Sequence, residues 1–418
     1  MHFDFDTCQF AEPGHRPEAP AVRDAEGILS WAQLSAASDR WIEAARAAGV
    51  VPGQAVVLSG HKQAAFVVAM VACLRMGVAY VPVDIVNPPA RLRRIVDIVQ
   101  AAACYDASED RFVPGVAAPP PMAVPALAYV MFTSGSTGEP KGVQIGRDSV
   151  ALFAGWIRDC LRLGPAPVFM NQMLFSFDFS LFDLCGALAL GGTCVLCPRE
   201  VIARREAFVA QLAQARVSVW ASTPSFARQQ LLAPDFNHTT LPDLRVFVFG
   251  AESLTPRLAE ELWSRFPQAR IINSYGPTEA TCSTTWVEID APLRAAAPNP
   301  FPIGRAKPYA EVFLHDGEIC MAGPHVMHGY LGRPDLDAGV LFRHHGQRAY
   351  RSGDLGEVDA DGLLYFRGRR DDQIKLHGYR IELAEVDVAL ATLPGVWSTS
   401  CATPPSSPSS AARSRAAC

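Results

Sequence analysis

The sequence predicts an α/β fold with two stacked parallel sheets, helices on both faces, and a smaller β-barrel-like subdomain. Up to about Pro298, short apolar runs alternate with longer Ala-rich helical segments, which is typical of parallel sheets covered by helices. Beyond Pro298, Gly, Pro and short strand-like runs dominate, which indicates a separate, mainly β region. A chain of 418 residues is also too long for one ordinary core, so we expect two or three domains.

The strands of the first part are marked by short runs of β-branched or apolar residues. They lie at residues 55–58, 79–83, 217–220, 246–249 and 270–273. The segment 34–48 between them has a helical pattern. The most apolar stretch, 64–80, approaches the length of a membrane span, but Arg75 and Gly77 interrupt it. We therefore predict a buried helix that leads into a buried strand.

The last part of the chain contains shorter strand-like runs and a polar tail. The runs lie at 311–314, 318–321 and 363–366, and the pairs Asp316-Gly317 and Asp361-Gly362 are typical of hairpin turns. From about Ser398 the residues are almost all Ser, Ala, Pro and Arg, which cannot bury enough apolar surface to order a chain. We predict that this tail is disordered.

Composition and charge exclude several classes of partner. With 49% apolar and 19% charged residues and a net charge of −5, the chain has no basic surface for nucleic acid or anionic lipid. The N-terminus lacks the positive and apolar segments of a secretory signal, so we expect a cytoplasmic protein. The pair Cys194 and Cys197 lies in an apolar run, and we interpret both as core residues rather than a metal or redox site.

The strongest chemical signal is the segment 132–142, FTSGSTGEPKG, which follows an apolar run. Its glycines let backbone amides turn toward an anion, and four hydroxyls and one ammonium supply further donors. It does not fit the Walker pattern, because positions 140 to 142 hold Pro140, Lys141 and Gly142. A mobile linker is the alternative, but linkers rarely lie between two apolar runs. The predicted phosphate-binding residues are Thr133, Ser134, Gly135, Ser136, Thr137, Gly138 and Lys141.

This loop resembles the signature of the adenylate-forming superfamily, which includes acyl-CoA ligases, luciferases and nonribosomal peptide adenylation domains. The segments 74–84, 175–183, 273–281, 317–324, 350–354 and 368–382 are similar to its further motifs, in order. Segments 61–77, 171–180 and 219–227 most resemble the stand-alone ligases that load D-alanine onto a carrier protein. The likeness extends to about Ala391 and implies ATP, Mg²⁺, a small amino acid and a phosphopantetheine-bearing carrier protein, with the enzyme a monomer.

The resemblance assigns roles at the nucleotide. It implies that Tyr275 stacks on adenine, Thr278 touches the α-phosphate, Glu279 binds Mg²⁺, and Asp354 and Arg369 approach the ribose. Thr133, Lys141, Thr278 and Glu279 are the implied catalytic residues. The other implied nucleotide-binding residues are Gly250, Ala251, Glu252, Asn273, Ser274 and Gly276. Each of three residues, considered alone, has a structural alternative. Tyr275 could be an aromatic residue of the core, Glu279 a charge at the start of a helix, and Asp354 a residue that forms a turn.

Asp178 carries the prediction of the substrate. It lies in the aromatic run 175–179, where a buried charge needs a partner. In the amino-acid-activating relatives the matching aspartate pairs with the substrate's α-ammonium, whereas local backbone amides are the alternative partner. The implied pocket walls are Phe179, Phe182, Ala221, Val248, Gly250, Ser274, Cys282 and Ser283.

The residue at position 250 leaves the choice of amino acid open. The D-alanine ligases carry a cysteine that is thought to favour the D-enantiomer, and this chain has Gly250. D-Alanine is the first choice, with glycine, L-alanine or another small L-amino acid as alternatives.

The C-terminal part departs from the family pattern. Relatives continue into a lid domain with a catalytic lysine, and no matching segment follows 393–396. We expect a large domain at 1–366, a hinge and stub at 367–396 with Asp371 as the hinge, and a tail at 397–418 that resembles an out-of-frame product. The alternatives to an enzyme impaired by this loss are an ATP- and amino-acid-binding remnant and an acyl-CoA ligase-like enzyme.

Overall fold

The computed structural model of the chain describes residues 1–11, 16–133 and 139–371, and the backbone of 373–376 and 379–382. The first elements are β1 (His2–Asp4), β2 (Gln9–Ala11), β3 (Pro20–Arg23), β4 (Ile28–Ser30), α1 (Trp31–Ala47), β5 (Ala55–Gly60), α2 (Ala64–Met76), β6 (Ala79–Asp84), α3 (Pro89–Val99), β7 (Ala103–Asp106) and β8 (Arg111–Pro114).

The middle of the chain follows with β9 (Leu127–Thr133), β10 (Lys141–Gly146), α4 (Arg147–Cys160), β11 (Val168–Asn171), α5 (Ser180–Leu190), β12 (Thr193–Leu196), α6 (Arg199–Ile202), α7 (Arg205–Ala215), β13 (Val219–Ser222), α8 (Pro224–Gln230), β14 (Val246–Phe249), α9 (Pro256–Arg265), β15 (Arg270–Tyr275), a 3₁₀ turn (Thr278–Ala280), β16 (Thr285–Glu288) and α10 (Ala291–Ala296). The last elements are β17 (Arg305–Ala306), β18 (Glu311–His315), β19 (Glu318–Ala322), α11 (Pro334–Val340), β20 (Leu341–His344), β21 (Gln347–Val358), β22 (Leu364–Arg369), β23 (Gln373–Leu376) and β24 (Tyr379–Glu382).

Two large sheets form the body of the molecule. The first sheet has six strands in the order β10-β9-β6-β5-β7-β8, and the second has nine in the order β17-β16-β15-β14-β13-β11-β12-β3-β4. Their central pairs, such as β5 with β6 and β13 with β14, are parallel, as predicted. Their edge pairs, such as β9 with β10 and β15 with β16, are antiparallel.

The strands β3 and β4 reach the second sheet from far away in the chain. β3 pairs in parallel with β12, with Val22 opposite Cys194, and β4 pairs with β3 as a hairpin. The N-terminal segment therefore completes one edge of a sheet whose other strands begin at Val168.

The two sheets share one buried core, in which α2 and α5 lie. Alternate residues of a strand face different cores, as the period of two requires. In β14, Val248 packs into the core between the sheets, whereas Phe247 packs on the outer face with residues of α7 and α9. In β5, Val56 likewise faces inward and Val57 faces the outer core under α3. The layers are thus helix, sheet, helix, sheet, helix, and the predicted α/β fold is confirmed.

Helices inside this sandwich differ from those outside it. All residues of α5 except the last are buried, and so are nearly all of α2, whereas α3 buries only Ile95 and Val99. The predicted buried helix before β6 is therefore confirmed. Across the described segments, no helix combines the length and the apolar character that a membrane crossing requires.

The cysteines that are described are free thiols, most of them buried. Cys194 packs in the core between the sheets and Cys197 packs on the outer face of the second sheet. The interpretation of this pair as core residues is confirmed.

A smaller sheet follows the two large ones. Its order is β18-β19-β21-β20, and β22 pairs with the far half of the long strand β21. Ile319, Met321 and Leu364 form its core with Tyr275 of the second sheet. Its first hairpin turns at Asp316 and Gly317, both in the left-handed region, as predicted for an Asp-Gly turn.

The predicted domain boundaries remain predictions. The small sheet ends with β22, close to the proposed end of the large domain at 366, and the backbone of β23 and β24 forms a further hairpin. Within the proposed hinge and stub at 367–396, the structure describes residues 367–371 and the backbone of these two strands. The proposed tail at 397–418 lies outside the described residues.

Candidate active site

One large cavity, of about 880 Å³, opens at the carboxyl ends of the parallel strands. Its walls come from the ends of β9, β14 and β15, from the start of α5, and from Asp354 and Arg369 of the small sheet. Ligands bind at this edge of open α/β sheets because the loops that follow the strands converge there. The cavity therefore lies where an active site is expected.

The predicted phosphate loop connects two strands at the cavity. Thr133 ends β9 and lies opposite Lys141, which begins β10. The Thr133 hydroxyl is buried and has no hydrogen-bond partner within the described part of the chain, and Thr133 lines the cavity. The Lys141 ammonium lies 5.6 Å from the centre of the Tyr330 ring. The loop residues between the strands, Ser134, Gly135, Ser136, Thr137 and Gly138, lie outside the described residues.

Asp354 and Arg369, both predicted to approach the ribose, form a buried polar group in the cavity wall. They are directly opposite in the β21–β22 ladder, and the Arg369 guanidinium donates to Asp354 Oδ1 at 2.5 Å. The Tyr275 hydroxyl donates to the other oxygen, Oδ2, at 2.5 Å. Gly353, just before Asp354, has φ +73°, and a Cβ there would lie 3.0 Å from the guanidinium. Glycine at 353 thus lets Arg369 approach.

Tyr275 occupies a different place from the other predicted nucleotide ligands. Its ring packs in the core of the small sheet and does not line the cavity, although Ser274 and Gly276 beside it do. Burial, and then the negative charge of Asp354, raise the pKa of Tyr275 well above its usual value, so the phenol keeps its proton and donates. Stacking of Tyr275 on adenine stays a prediction.

Thr278 and Glu279 lie in the 3₁₀ turn after β15. Thr278 lines the cavity, whereas Glu279 is fully buried next to it and accepts a 2.7 Å hydrogen bond from the Tyr330 hydroxyl. Tyr330 was not predicted as a site residue. Its position after the matched segment 317–324 is the signal that could have found it.

The backbone positions predicted along the nucleotide have mixed structural roles. A Cβ at Gly276 would lie 2.5 Å from Cα of Ser283, so only glycine fits there. Asn273 is buried and donates to the Pro302 carbonyl at 2.8 Å. Glu252 accepts from the backbone N and the hydroxyl of Ser225 in the first turn of α8, while its neighbour Ala251 lines the cavity.

Asp178 lies in another part of the cavity wall, just before α5. It is 4% exposed and lines the cavity with Phe179, Gly250, Cys282 and Ser283. Three other predicted wall residues, Phe182, Ala221 and Val248, lie in the core between the sheets, behind the described lining residues.

Cys282 contributes an unreactive wall at this end. Burial, and then the negative charge of Asp178, raise the pKa of its thiol well above the usual 9.0. The thiol therefore stays protonated near neutral pH. Because only the thiolate is a good nucleophile, Cys282 is unreactive.

Three non-glycine residues around the cavity have left-handed backbone. Ala251, Thr281 and Cys282 have φ values of +67°, +55° and +67°. Such conformations cost of order 1–3 kcal/mol each and persist where the surroundings fix them, often at functional sites. Their grouping here supports a functional role for the turns after β14 and β15.

Lys307 is buried behind the cavity wall and contacts Ser283, one of the lining residues. Its ammonium nitrogen donates to the carbonyl and the hydroxyl of Ser283 at 2.7 and 2.6 Å, and lies 3.4 Å from the centre of the Trp156 ring. Burial lowers the pKa of Lys307 well below its usual value. The sequence did not reveal this residue, because a lysine in a loop is normally exposed.

The remaining part of the cavity was also not predicted. Its lining includes His61, Asn87, Arg91, Arg199 and Phe226. His61 Nε2 accepts from the Arg199 backbone N at 3.2 Å, so Nδ1 carries the proton that is shared with Asp84 at 2.7 Å.

Lys62 is buried next to this wall. It donates to the Asn171 side chain and to the Met173 carbonyl. Burial lowers its pKa to about 8, and nearby acidic groups, including Asp183, limit the shift.

Comparison with known proteins shows which enzymes this chain is similar to. The family model described as "AMP-binding enzyme" matches residues 10–331. A D-alanine--D-alanyl carrier protein ligase of Bacillus velezensis is 36% identical over 404 residues, which cover 89% of this chain and 80% of the ligase.

Solved structures agree with the family match. The crystal structure of IdnL1 has a TM-score of 0.80 at 29% identity and covers 91% of this chain and 85% of that chain. The structure of holo-AB3403, a four-domain nonribosomal peptide synthetase bound to AMP and glycine, has a TM-score of 0.74 at 26% identity. That match covers 90% of this chain and 30% of the synthetase.

Proposed function

Since the chain belongs to the AMP-binding enzyme family, we propose that it converts a small amino acid to its aminoacyl-AMP and transfers the aminoacyl group to a carrier protein. The chain is an adenylate-forming enzyme. The proposed acceptor is the phosphopantetheine thiol of the carrier. The proposed substrate is D-alanine, because the similar ligases are named for it, with glycine, L-alanine and other small L-amino acids as alternatives.

The observation that carries this proposal is the placement of the two carboxylates in the cavity wall. Among the described lining residues, these are Asp178 and Asp354. Both oxygens of Asp354 accept bonds from Arg369 and Tyr275. Asp178 lies among apolar walls at the other end, where a buried carboxylate is best stabilised by a cation. An α-ammonium group supplies that cation, whereas a fatty or aryl acid does not.

In the proposed first step a carboxylate oxygen of the amino acid attacks the α-phosphorus of ATP. The bond from that phosphorus to the bridging oxygen breaks, and pyrophosphate leaves with the electron pair. Such a reaction depends mainly on positioning and on neutralising charge. Asp178 orients the amino acid through its ammonium group, Asp354 and Arg369 hold the ribose, and Thr133, Lys141 and Thr278 face the phosphates.

Mg²⁺ fits the donor chemistry next to Thr278. The ion usually binds one or two carboxylates together with substrate phosphates, and Glu279 offers a carboxylate beside the cavity wall. Bound there, Mg²⁺ would neutralise part of the phosphate charge. Tyr330, which donates to Glu279, would hold that carboxylate in place.

Exchange of labelled pyrophosphate into ATP tests the proposed first step. We expect exchange that depends on an amino acid and is greatest with D-alanine in a panel of D- and L-amino acids. Exchange with fatty or aromatic acids alone would instead indicate an acyl-CoA ligase-like enzyme. Calorimetric binding of ATP and amino acid without any exchange would indicate a binding remnant.

Carrier loading tests the second step. The protein is incubated with ATP, labelled amino acid and a phosphopantetheinylated carrier, with the unmodified carrier as the control. Label that appears on the modified carrier and not on the unmodified one would support the second step. We further propose a cytoplasmic monomer, which cell fractionation and light scattering would check.

A further inference from the structure

Three side chains with metal-binding atoms meet on the small sheet, away from the cavity lining. They are Glu311 at the start of β18, His344 at the end of β20, and His345 in the turn before β21. One ligand atom from each lies within 4.8 Å of the other two. Glu311 Oε1 is 3.1 Å from Nε2 of His344, and Oε2 is 3.3 Å from Nδ1 of His345.

The strand register explains why these residues meet although β18 and β20 lie at opposite ends of the strand order. Glu311 pairs with Ala322, Ala322 with Ala349, and Ala349 with Phe342, so all four side chains lie in one row on one face. The two alanines in the middle are small. Longer side chains from both outer strands can therefore reach toward each other above them.

Aromatic packing fixes one of the two imidazoles. The Phe313 ring, two residues after Glu311 on the same face, stacks on His344 with 4.0 Å between ring centres and an angle of 20°. The same Phe313 ring lies 6.4 Å from Phe342. The His344 ring is thus held with Nε2 toward Glu311.

The backbone positions the second imidazole. His345 has φ +49° and Gly346 has φ +79°, so the chain reverses tightly there. The centre of the His345 ring lies 4.0 Å from that of His344, and the His345 side chain is 73% exposed. One side of the cluster therefore remains open to solvent for a water ligand.

The ligand types and their spacing point to one class of metal ion. In a tetrahedral zinc site with bonds of ~2.0–2.1 Å, neighbouring ligand atoms are roughly 3.3 Å apart, and each Glu311 oxygen lies at about this distance from one imidazole nitrogen. Two imidazoles and a carboxylate suit Zn²⁺ and similar transition ions, whereas Mg²⁺ and Ca²⁺ prefer oxygen ligands. We propose that Glu311, His344 and His345 bind a divalent transition metal ion of the Zn²⁺ class.

This site would link the outer strands of the small sheet. A metal ion held by β18 and by the β20–β21 turn fixes their side chains in one arrangement. Glu311 contacts both imidazoles, one through each carboxylate oxygen, so the three side chains already converge on one point.

The test is calorimetric titration of the whole chain with ZnCl₂ in a large excess of MgCl₂. We expect one zinc site that Mg²⁺ does not displace. Glu311→Gln and His345→Asn should each weaken it by at least about tenfold, since even changes around metal ligands cost 10- to 100-fold. Asparagine tolerates positive φ, so His345→Asn removes the ligand while keeping the turn.

His315→Gln is the matched control. His315 is an exposed histidine at the end of β18, and it pairs with Asp316 outside the cluster. This variant should bind zinc like the parent. Because the chain also has 11 cysteines, zinc binding alone does not locate the site. Equal zinc affinity in the parent and in both ligand variants would overturn the proposal, and so would zinc that Mg²⁺ displaces.

Discussion

The two ends of the cavity are constructed differently, although each contains a buried aspartate. At the proposed amino-acid site, Asp178 lies among packed apolar side chains, and its surroundings belong to the core between the large sheets. At the proposed nucleotide site, Asp354 lies in the small sheet and accepts hydrogen bonds from Arg369 and Tyr275. One end is shaped by packing and the other by hydrogen bonds.

This difference predicts how substitutions at each end affect ligand binding. A packed wall selects ligands by size and by one charge, so changes there should alter which amino acid binds. A hydrogen-bonded group depends on every member, so changes there should weaken nucleotide binding whatever the amino acid. If the two ends are independent, each substitution should affect one ligand and spare the other.

The largest effect is expected from Asp178→Ala. Removing the carboxylate leaves the bound ammonium unpaired in a buried place, which costs about 3–5 kcal/mol. Amino-acid affinity should fall by roughly two to four decades, while ATP affinity stays near that of the parent. Calorimetry with each ligand alone measures both. Asp97→Ala, at an exposed position on α3, is the control. An unchanged amino-acid affinity would contradict the role of Asp178.

The next effect is expected from Asp354→Asn. The change keeps the shape but removes the charge that Arg369 and Tyr275 surround, and hydrogen bonds to charged groups contribute about 1.5–3 kcal/mol each. ATP affinity should fall by roughly 10- to 100-fold, and amino-acid affinity should stay within about twofold. Fluorescent ATP-analogue titration checks the first value. An equal loss for both ligands would show that the two ends are coupled.

Gly250→Cys tests the junction of the two ends. A Cβ there would lie 3.1 Å from Cζ of Phe179 and 3.3 Å from the Ser274 carbonyl, so the added side chain narrows the amino-acid end. The preference for D-alanine over L-alanine should rise by about tenfold, within the range that small steric changes give. Gly250→Ala adds the Cβ without the thiol, and so distinguishes the effect of one from that of the other. Weaker ATP binding with an unchanged preference between D- and L-alanine would show that glycine at this position is needed for nucleotide binding instead.

The smallest effect is expected from Lys307→Met. Burial destabilises the charged form of an amine and so costs stability, and apolar replacements of buried charges are often neutral or stabilising. The Lys307 pKa is depressed in the folded chain, so the unfolded chain binds more protons and stability rises with pH up to about 10.4. The variant should be about 1 kcal/mol more stable at pH 7 and should lack this rise. Urea unfolding at pH 7 and 9 measures both, and a steeper rise in the variant would contradict the assignment.

Apolar patterning made much of the fold predictable. The run 246–249 coincides with β14, and 64–80 became α2 followed by β6, because buried strands and helices need continuous apolar residues. The adenylate-forming class predicted from the motif order is confirmed by the family match. The strand β20, LFRH, was missed because two of its four residues are polar.

The parts of the site that were missed depend on contacts between distant segments. Lys62 and Lys307 are buried next to Asn171 and Ser283, which are 109 and 24 residues away in the chain and accept their hydrogen bonds. The Tyr275 hydroxyl likewise meets Asp354 through the packing of the small sheet on the second sheet. Single-sequence patterns report local burial, and they contain no information on such partners.

The pairing of β3 with β12 also determines when this edge of the second sheet can form during translation. Val22 leaves the ribosome long before Cys194, its partner across the ladder. At 5–20 residues per second, translation of the intervening chain takes roughly 10–35 s. During that interval the β3–β4 hairpin has no neighbour on one edge, and unpaired edges are prone to pair with other chains. Nascent chains crowded on one messenger are therefore most exposed to mispairing before residue 194 emerges, and slower decoding of codons between β4 and β12 should lower the soluble yield.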